Sequence, residues 1–165
     1  MLRLILFRHG KSSWDDPAGD DFSRPLAPRG LRSVPEMGRR LARRGQSPEL
    51  IVSSTAIRAL STAHAVAREI GYREVDIVES PVLYLASPDA ILAVIRQVPA
   101  SARTLMVVGH NPGLTELANM LGDVRLDNIP TAGMLCAEFD VQAWGGIEPA
   151  RARFAWYDYP KKQPG

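Results

Sequence analysis

The stretch Leu2-Arg3-Leu4-Ile5-Leu6-Phe7-Arg8-His9-Gly10 decides how the rest of the chain is read. Its apolar run reads as a buried strand, the central one of an open sheet, and it stops at a charged pair and a glycine. In open sheets, ligands bind in the crevice beyond the carboxyl ends of the strands, which makes Arg8 and His9 candidate functional residues. An isolated Arg-His-Gly would be no more than the first solvated residues after a strand. Other strand ends along the chain alter that reading.

Thr104-Leu105-Met106-Val107-Val108 is a second strand, apolar throughout and hence buried on both faces. It too ends at a histidine, in Gly109-His110-Asn111-Pro112-Gly113, before a helix from Leu114 to Leu121 stopped by Gly122. Leu50-Ile51-Val52-Ser53 is another short strand. The hydroxyls of Ser53-Ser54-Thr55 follow it and cap a helix from Ala56 to about Ile70, with Ile57, Leu60, Ala63, Ala67 and Ile70 facing inward. Arg58 lies off that stripe, in a first turn where a cation opposes the helix dipole. The placement makes sense if an anion binds there.

Glu74 to Val78 reads as a further strand, and Ser87-Pro88-Asp89 opens a helix running to about Val98. Met134 to Val141 and Ala152 to Tyr157 read as late strands, antiparallel at one side. Strands alternating with helices predict an α/β fold, a three-layer α/β/α arrangement with a mostly parallel central sheet. Right-handed crossovers then bring Arg8, His9, Arg58 and His110 to one rim.

Residues 11–29 are polar and rich in turn formers, and a loop of that length beside a strand end is read as a flap. Ser33-Val34-Pro35-Glu36 matches a capping box for a helix that stops at Gly45, although a start nearer Pro28 with a kink at Pro35 is the alternative. Lys11 either steers an anionic substrate or is merely solvated. His64 is expected to pack in the core, and Trp14 to anchor the flap on the core.

The 165 residues fit a single domain at 1–158 with a frayed tail at 159–165. A formal net charge of +2 argues for neither nucleic acid nor a membrane surface as partner. Cys136, the one cysteine, fits a reducing compartment as a small buried thiol. No run approaches the roughly 20 apolar residues of a membrane span, so the expected location is the cytoplasm.

Two arginines and two histidines meeting at helix N-termini make a site for a tetrahedral dianion, and phosphate is the obvious guest. The glycine-rich nucleotide loops are absent, and the histidines are too scattered for a His-Glu-x-x-His metal site, although Asp15, Asp16 or Asp21 joining His9 and His110 around an ion is a minor alternative. What is left is covalent catalysis by a histidine. Arg8 and Arg58 would lower the pKa of His9 and keep a ring nitrogen free to attack, while a backbone carbonyl holds the other nitrogen's proton. His110 would donate to an equatorial oxygen.

Arg8-His9-Gly10, then Ser53-Ser54-Thr55-Ala56-Ile57-Arg58-Ala59-Leu60-Ser61-Thr62, then Gly109-His110-Asn111-Pro112 resemble the motifs of the histidine phosphatase (phosphoglycerate mutase-like) superfamily. The short chain, Arg8 to Trp14, Asp21-Phe22-Ser23-Arg24-Pro25-Leu26 and Gly109 to Leu114 are similar to the small SixA-type phosphohistidine phosphatases. The resemblance implies a phosphoglycerate mutase-like fold, His9 as phosphorylated nucleophile, and phosphate bound by Arg8, Arg58 and His110, with Asn111 beside them, without metal or other cofactor.

One departure concerns the general acid. Larger members of the superfamily carry a glutamate just after the third strand, where this chain has Val82-Leu83-Tyr84-Leu85. Glu79, or Asp15, Asp16 or Asp21 from the flap, are the candidates to replace it. With no acid in place, cleavage of an N–P bond is easier than that of an O–P bond, because imidazole is a better leaving group than an alkoxide. The expected partner is therefore a phosphorylated protein bearing phosphohistidine. A phosphatase of small phosphate esters and a non-catalytic phosphate-binding module are the alternatives.

Overall fold

The computed structural model describes residues 1–162. Its frame is a six-stranded sheet of order β3-β2-β4-β1-β5-β6, made of β1 (Leu2–Arg8), β2 (Leu50–Ser53), β3 (Val78–Glu79), β4 (Thr104–Gly109), β5 (Met134–Phe139) and β6 (Arg153–Asp158). The first four strands are mutually parallel, and β5 and β6 run antiparallel along one side. Helices α1 (Pro28–Arg43) and α2 (Ile57–Ile70) cover one face, and α3 (Pro88–Arg96) and α4 (Gly113–Leu121) the other.

The apolar character of β1, interrupted at Arg3, which pairs with Glu138 on β5, follows from this sandwich. Leu2, Leu4 and Leu6 project into the core beneath α3 and α4, while Ile5 and Phe7 project into the one beneath α1 and α2. Alternate residues thus bury against opposite layers, so neither face has a use for polar side chains. β4 divides in the same way, Leu105 and Val107 to one core and Met106 and Val108 to the other.

Three local expectations give way to packing. Helix α1 starts at Pro28 and carries Pro35 within it, because its buried stripe begins at Gly30, ahead of the Ser33 capping signal. Gly30 lies so close to the flap that a Cβ there would meet the Lys11 carbonyl oxygen at 2.3 Å. Residues 74–76 form a 3-10 turn and only Val78–Glu79 pairs as strand, since Val75 and Val78 are exposed and have no second layer to bury against. Residues 159–162 of the expected frayed tail are tied down, with Arg40 donating to the Tyr159 and Pro160 carbonyls; residues 163–165 lie outside the described part.

Two expected core contacts move to the surface. His64 is half-exposed and bonds through Nδ1 to Glu74 at 2.8 Å. Trp14 is 71% exposed and lies under the Arg24 guanidinium, 3.4 Å from its ring centre, so it does not anchor the flap on the core. Among the described residues, no helix is long and apolar enough to cross a membrane.

Candidate active site

Sheet register brings the two histidines together. Arg8 is paired with Gly109 across β1 and β4, so the chain leaves both strands at the same level and His9 and His110 come next on each. Their ring centres are 5.1 Å apart. On the far side of β4, Ser53 is level with Val108, which sets Ser54 beside His110. Arg58 follows in the first turn of α2 and is only 2% exposed. The inward stripe expected for that helix is wrong at this end, where Ile57 faces solvent. Beyond the edge of the sheet, the inward direction of α2 is the pocket itself, and the arginine fills it.

Arg8, His9, Arg58 and His110 line one hollow of about 280 Å³, with Lys11, Ser12, Trp14, Asp21 and Arg24 from the flap around its mouth. A larger groove of about 420 Å³ between α1 and α2 gathers mostly apolar side chains and none of these four residues. Size alone therefore does not mark the site.

His9 Nδ1 is 2.7 Å from the Gly10 carbonyl oxygen, an acceptor, so Nδ1 carries the proton and Nε2 is left as a lone pair. Its pKa is lowered to about 4, first by burial and then by the positive charges of Arg58, Arg8 and Arg24, against the opposing pull of the Gly10 bond. Desolvation thus leads over the arginine charges invoked from the sequence. His110 is lowered to about 3 by burial, then by His9 and Arg58. Both rings are neutral at physiological pH.

The His110 tautomer follows from its one partner. Ser54 Oγ lies 2.7 Å from His110 Nε2 and accepts the Ala56 N–H at 3.3 Å, and no other acceptor takes the hydroxyl proton. Ser54 therefore donates to Nε2, and Nδ1 bears the ring proton. Among the described residues, three buried side-chain polar atoms have no hydrogen-bond partner: Arg8 Nε, Arg58 Nε and His110 Nδ1. Leaving a buried donor unpaired costs about 1–3 kcal/mol each. Three such donors on residues lining one hollow suit the oxygens of an oxyanion.

Comparisons with known proteins agree with this geometry. The pattern of the histidine phosphatase superfamily (branch 1) matches residues 4–83. A protein from Agrobacterium tumefaciens, assigned as phosphohistidine phosphatase SixA, is 30% identical, with a TM-score of 0.81 over 96% of this chain and 98% of that one. This chain belongs to the histidine phosphatase superfamily. A similarly assigned protein from Nakamurella multipartitia is 28% identical at a TM-score of 0.81, covering 98% of this chain and 97% of its own. An uncharacterized chloroplastic protein of Arabidopsis thaliana is 34% identical over 75% of this chain, which spans 61% of that relative's length.

Within this histidine phosphatase the four candidate acids separate. Glu79 is exposed on β3 and does not line the hollow. Asp15 and Asp16 border a different depression of about 190 Å³ on the outside of the flap. Only Asp21 reaches the site, and there it is already committed. It pairs with Arg58 Nη2 at 3.0 Å and Arg24 Nη2 at 3.1 Å and accepts the Tyr84 hydroxyl proton, and its pKa falls to about 2 with the Tyr84 bond as the leading cause. A carboxylate held in its ionised form by three donors has no proton to give, which makes Asp21 an anion at the site.

Asn111 lines the hollow, with its side-chain amide engaged by neighbouring groups. Its amide nitrogen donates to Asn128 Oδ1 at 2.8 Å and to the Ile129 carbonyl at 3.0 Å, which uses both N–H groups. The same Ile129 carbonyl accepts from Arg8 Nη1 at 2.9 Å. Asn111 thus braces the loop that tethers Arg8 and has no free amide donor for phosphate.

Sequence reading passed over Arg24, Ser54 and Tyr84. Arg24 lies in the quoted Asp21-to-Leu26 segment, and Tyr84 stands in the stretch where the glutamate is missing; both signals were present but pointed to no chemistry on their own. The Tyr84 ring meets His110 edge-on at 5.5 Å and Phe22 at 5.1 Å.

The lowered histidine pKa values set a pH dependence of stability. In the unfolded chain both titrate at about 6.5, and in the folded protein at about 4 and about 3. Between those values the unfolded state binds protons that the folded state refuses. Stability is therefore expected to fall as the pH drops from about 6.5 towards 4, by up to about 1.4 kcal/mol per pH unit for each histidine. Denaturant unfolding at stepped pH measures this, and the slope should shrink when His110 is replaced by Gln.

Proposed function

We propose that this protein is a phosphatase that works through a phosphoryl group carried on His9, and that its substrate is phosphohistidine in proteins. The observation that carries the reading is the set of three unpartnered donors around a neutral imidazole whose Nε2 is free. The Nε2 lone pair attacks phosphorus, and the bond from phosphorus to the leaving atom breaks in line with it. Arg8 Nε, Arg58 Nε and His110 Nδ1 hold the equatorial oxygens as their charge redistributes. Water then attacks the phosphoryl group on His9, the N–P bond breaks, and the lone pair returns to Nε2 while the water's proton leaves with the product.

The choice of an N–P substrate rests on the absence of a proton source beside the leaving group. Tyr84 occupies the stretch where the glutamate would stand, but its hydroxyl donates its hydrogen bond to Asp21 and its pKa is raised, first by that bond. The Tyr84 hydrogen is committed to Asp21 and Asp21 is ionised, so neither is free to protonate a leaving alkoxide. A leaving imidazole needs no such help, because it takes a proton at a ring nitrogen near neutral pH.

The mouth of the hollow supports a macromolecular substrate. Trp14 and Leu85, 71% and 55% exposed, border it. Leu85 is held at a φ of 49°, a left-handed conformation that costs a leucine about 1 kcal/mol. Exposed apolar groups beside a phosphate pocket suit the surface of a folded protein better than the polar body of a metabolite.

The test is a side-by-side comparison of a phosphohistidine protein, an aryl phosphate and alkyl phosphates such as sugar esters. Phosphohistidine and aryl phosphate should be hydrolysed with kcat/KM at least about 10²-fold above the alkyl esters, the range contributed by general acid catalysis. Equal or faster turnover of an alkyl ester would overturn the substrate assignment and favour a metabolite phosphatase. Binding of phosphate without turnover of any substrate would mark a non-catalytic module.

A further inference from the structure

Of the flap residues at the hollow, Asp21 is the one whose contacts all lead to groups that line or back the site. Arg58 is buried, and two of its five N–H donors, one on each Nη, are engaged by Asp21. Nη1 donates to the Asp21 carbonyl oxygen at 2.6 Å and Nη2 to the carboxylate at 3.0 Å. The nitrogen left over is Nε, one of the three unpartnered donors. On the other side, Arg24 donates to the carboxylate from Nε at 3.2 Å and reaches Ser12 Oγ from Nη1 at 2.6 Å. The Tyr84 hydroxyl donates to the same carboxylate, with its ring against His110.

A guanidinium is a rigid planar fork, so fixing two of its nitrogens fixes the direction of the third. We infer that Asp21 is a positioning residue, which grips Arg58 by both Nη atoms so that Nε is aimed at the transferring phosphoryl group, and which holds Arg24 and Tyr84 around the same pocket. The flap is thereby part of the active site: its carboxylate neutralises a buried arginine and sets its angle before substrate arrives. The alternative chemistry for the same contact is competition, in which Asp21 occupies Arg58 and must be displaced by phosphate. The unpartnered Nε favours positioning, because Asp21 leaves that donor, with the second N–H of each Nη, open to phosphoryl oxygens.

The inference deepens the phosphatase reading and rests on it, but one arm of its test needs no turnover. In full-length protein, Asp21→Asn and Asp21→Glu are compared with the wild type for kcat and KM on an aryl phosphate. Affinities for orthovanadate, which mimics the five-coordinate transition state, and for inorganic phosphate are measured by calorimetry. Asp21→Asn should lower kcat/KM by about 10- to 100-fold, the scale of loss from misplaced catalytic groups. Vanadate binding should weaken by a similar factor and phosphate binding by less, and Asp21→Glu should recover part of both.

A purely structural role would lower the folded fraction and the melting temperature while the vanadate affinity of the folded protein stayed the same, and that result overturns the inference. Tighter phosphate binding with undiminished turnover also overturns it, in favour of competition. If the wild type binds vanadate yet hydrolyses nothing, the phosphatase reading fails by itself, and the Asp21→Asn vanadate comparison still decides whether Asp21 aims Arg58.

Discussion

Replacing His9 by alanine is expected to reduce turnover of every phosphorylated substrate by at least about 10⁴-fold, because no second group in the hollow can take over as nucleophile. His110 is the nearest imidazole, but its Nε2 lone pair is occupied by the Ser54 hydroxyl and its Nδ1 bears a proton. The three unpartnered donors belong to other residues, so phosphate and vanadate should still bind to the His9→Ala protein. Wild-type protein quenched during turnover should carry an acid-labile phosphate on His9, detectable by mass spectrometry under alkaline conditions. Steady turnover by the alanine variant, or an intermediate on any other residue, would exclude the covalent route proposed here.

The second large effect is expected at Arg58. Arg58→Ala should lower kcat/KM by about 10²- to 10³-fold, as for removal of one donor from a preorganised oxyanion site. Arg58→Lys should lose almost as much. An ammonium keeps the charge but not the planar fork, so it cannot hold the carbonyl and carboxylate of Asp21 and also place an N–H where Arg58 Nε stands. Asp21 is 38% exposed and can rehydrate when its partner is removed, so the catalytic loss should exceed anything explained by unfolding. Kinetics on both variants beside thermal melts separate the two effects, and full activity in Arg58→Lys would show that charge alone suffices.

Local signals carried the sheet because each strand advertises its own environment. β1, apart from Arg3, and β4 are apolar along their length, as strands buried on both faces are, and each ends in a polar turn with a histidine. The order of motifs then places Arg8, His9, Arg58 and His110 on one rim through the handedness of crossovers alone. The neutral His9 tautomer was legible as well, since the carbonyl that holds Nδ1 belongs to the next residue.

The flap was not legible in the same way. Asp15, Asp16 and Asp21 are equivalent in the sequence, each an aspartate in a polar loop, and nothing local says which of them faces inward. Asp21 alone meets Arg58, Arg24 and Tyr84, residues 37, 3 and 63 positions away. That meeting turned a candidate acid into a permanent anion. His64 was misjudged for the same reason, its partner Glu74 lying on another element, whereas Trp14 and Arg24 stack on each other within the flap, a fold of the loop that no periodicity signals.

The sequence by itself determined which side chains are delivered to strand ends and helix starts, because hydrophobic periodicity and turn chemistry are properties of neighbouring residues. The tertiary structure decided their states. Pairing of Arg8 with Gly109 set the two imidazoles side by side, burial holds both rings neutral, and closure of the flap on α2 chose the counter-ion of Arg58. Distance, desolvation and charge pairing exist only once remote segments have met, and the chemistry of the hollow depends on all three.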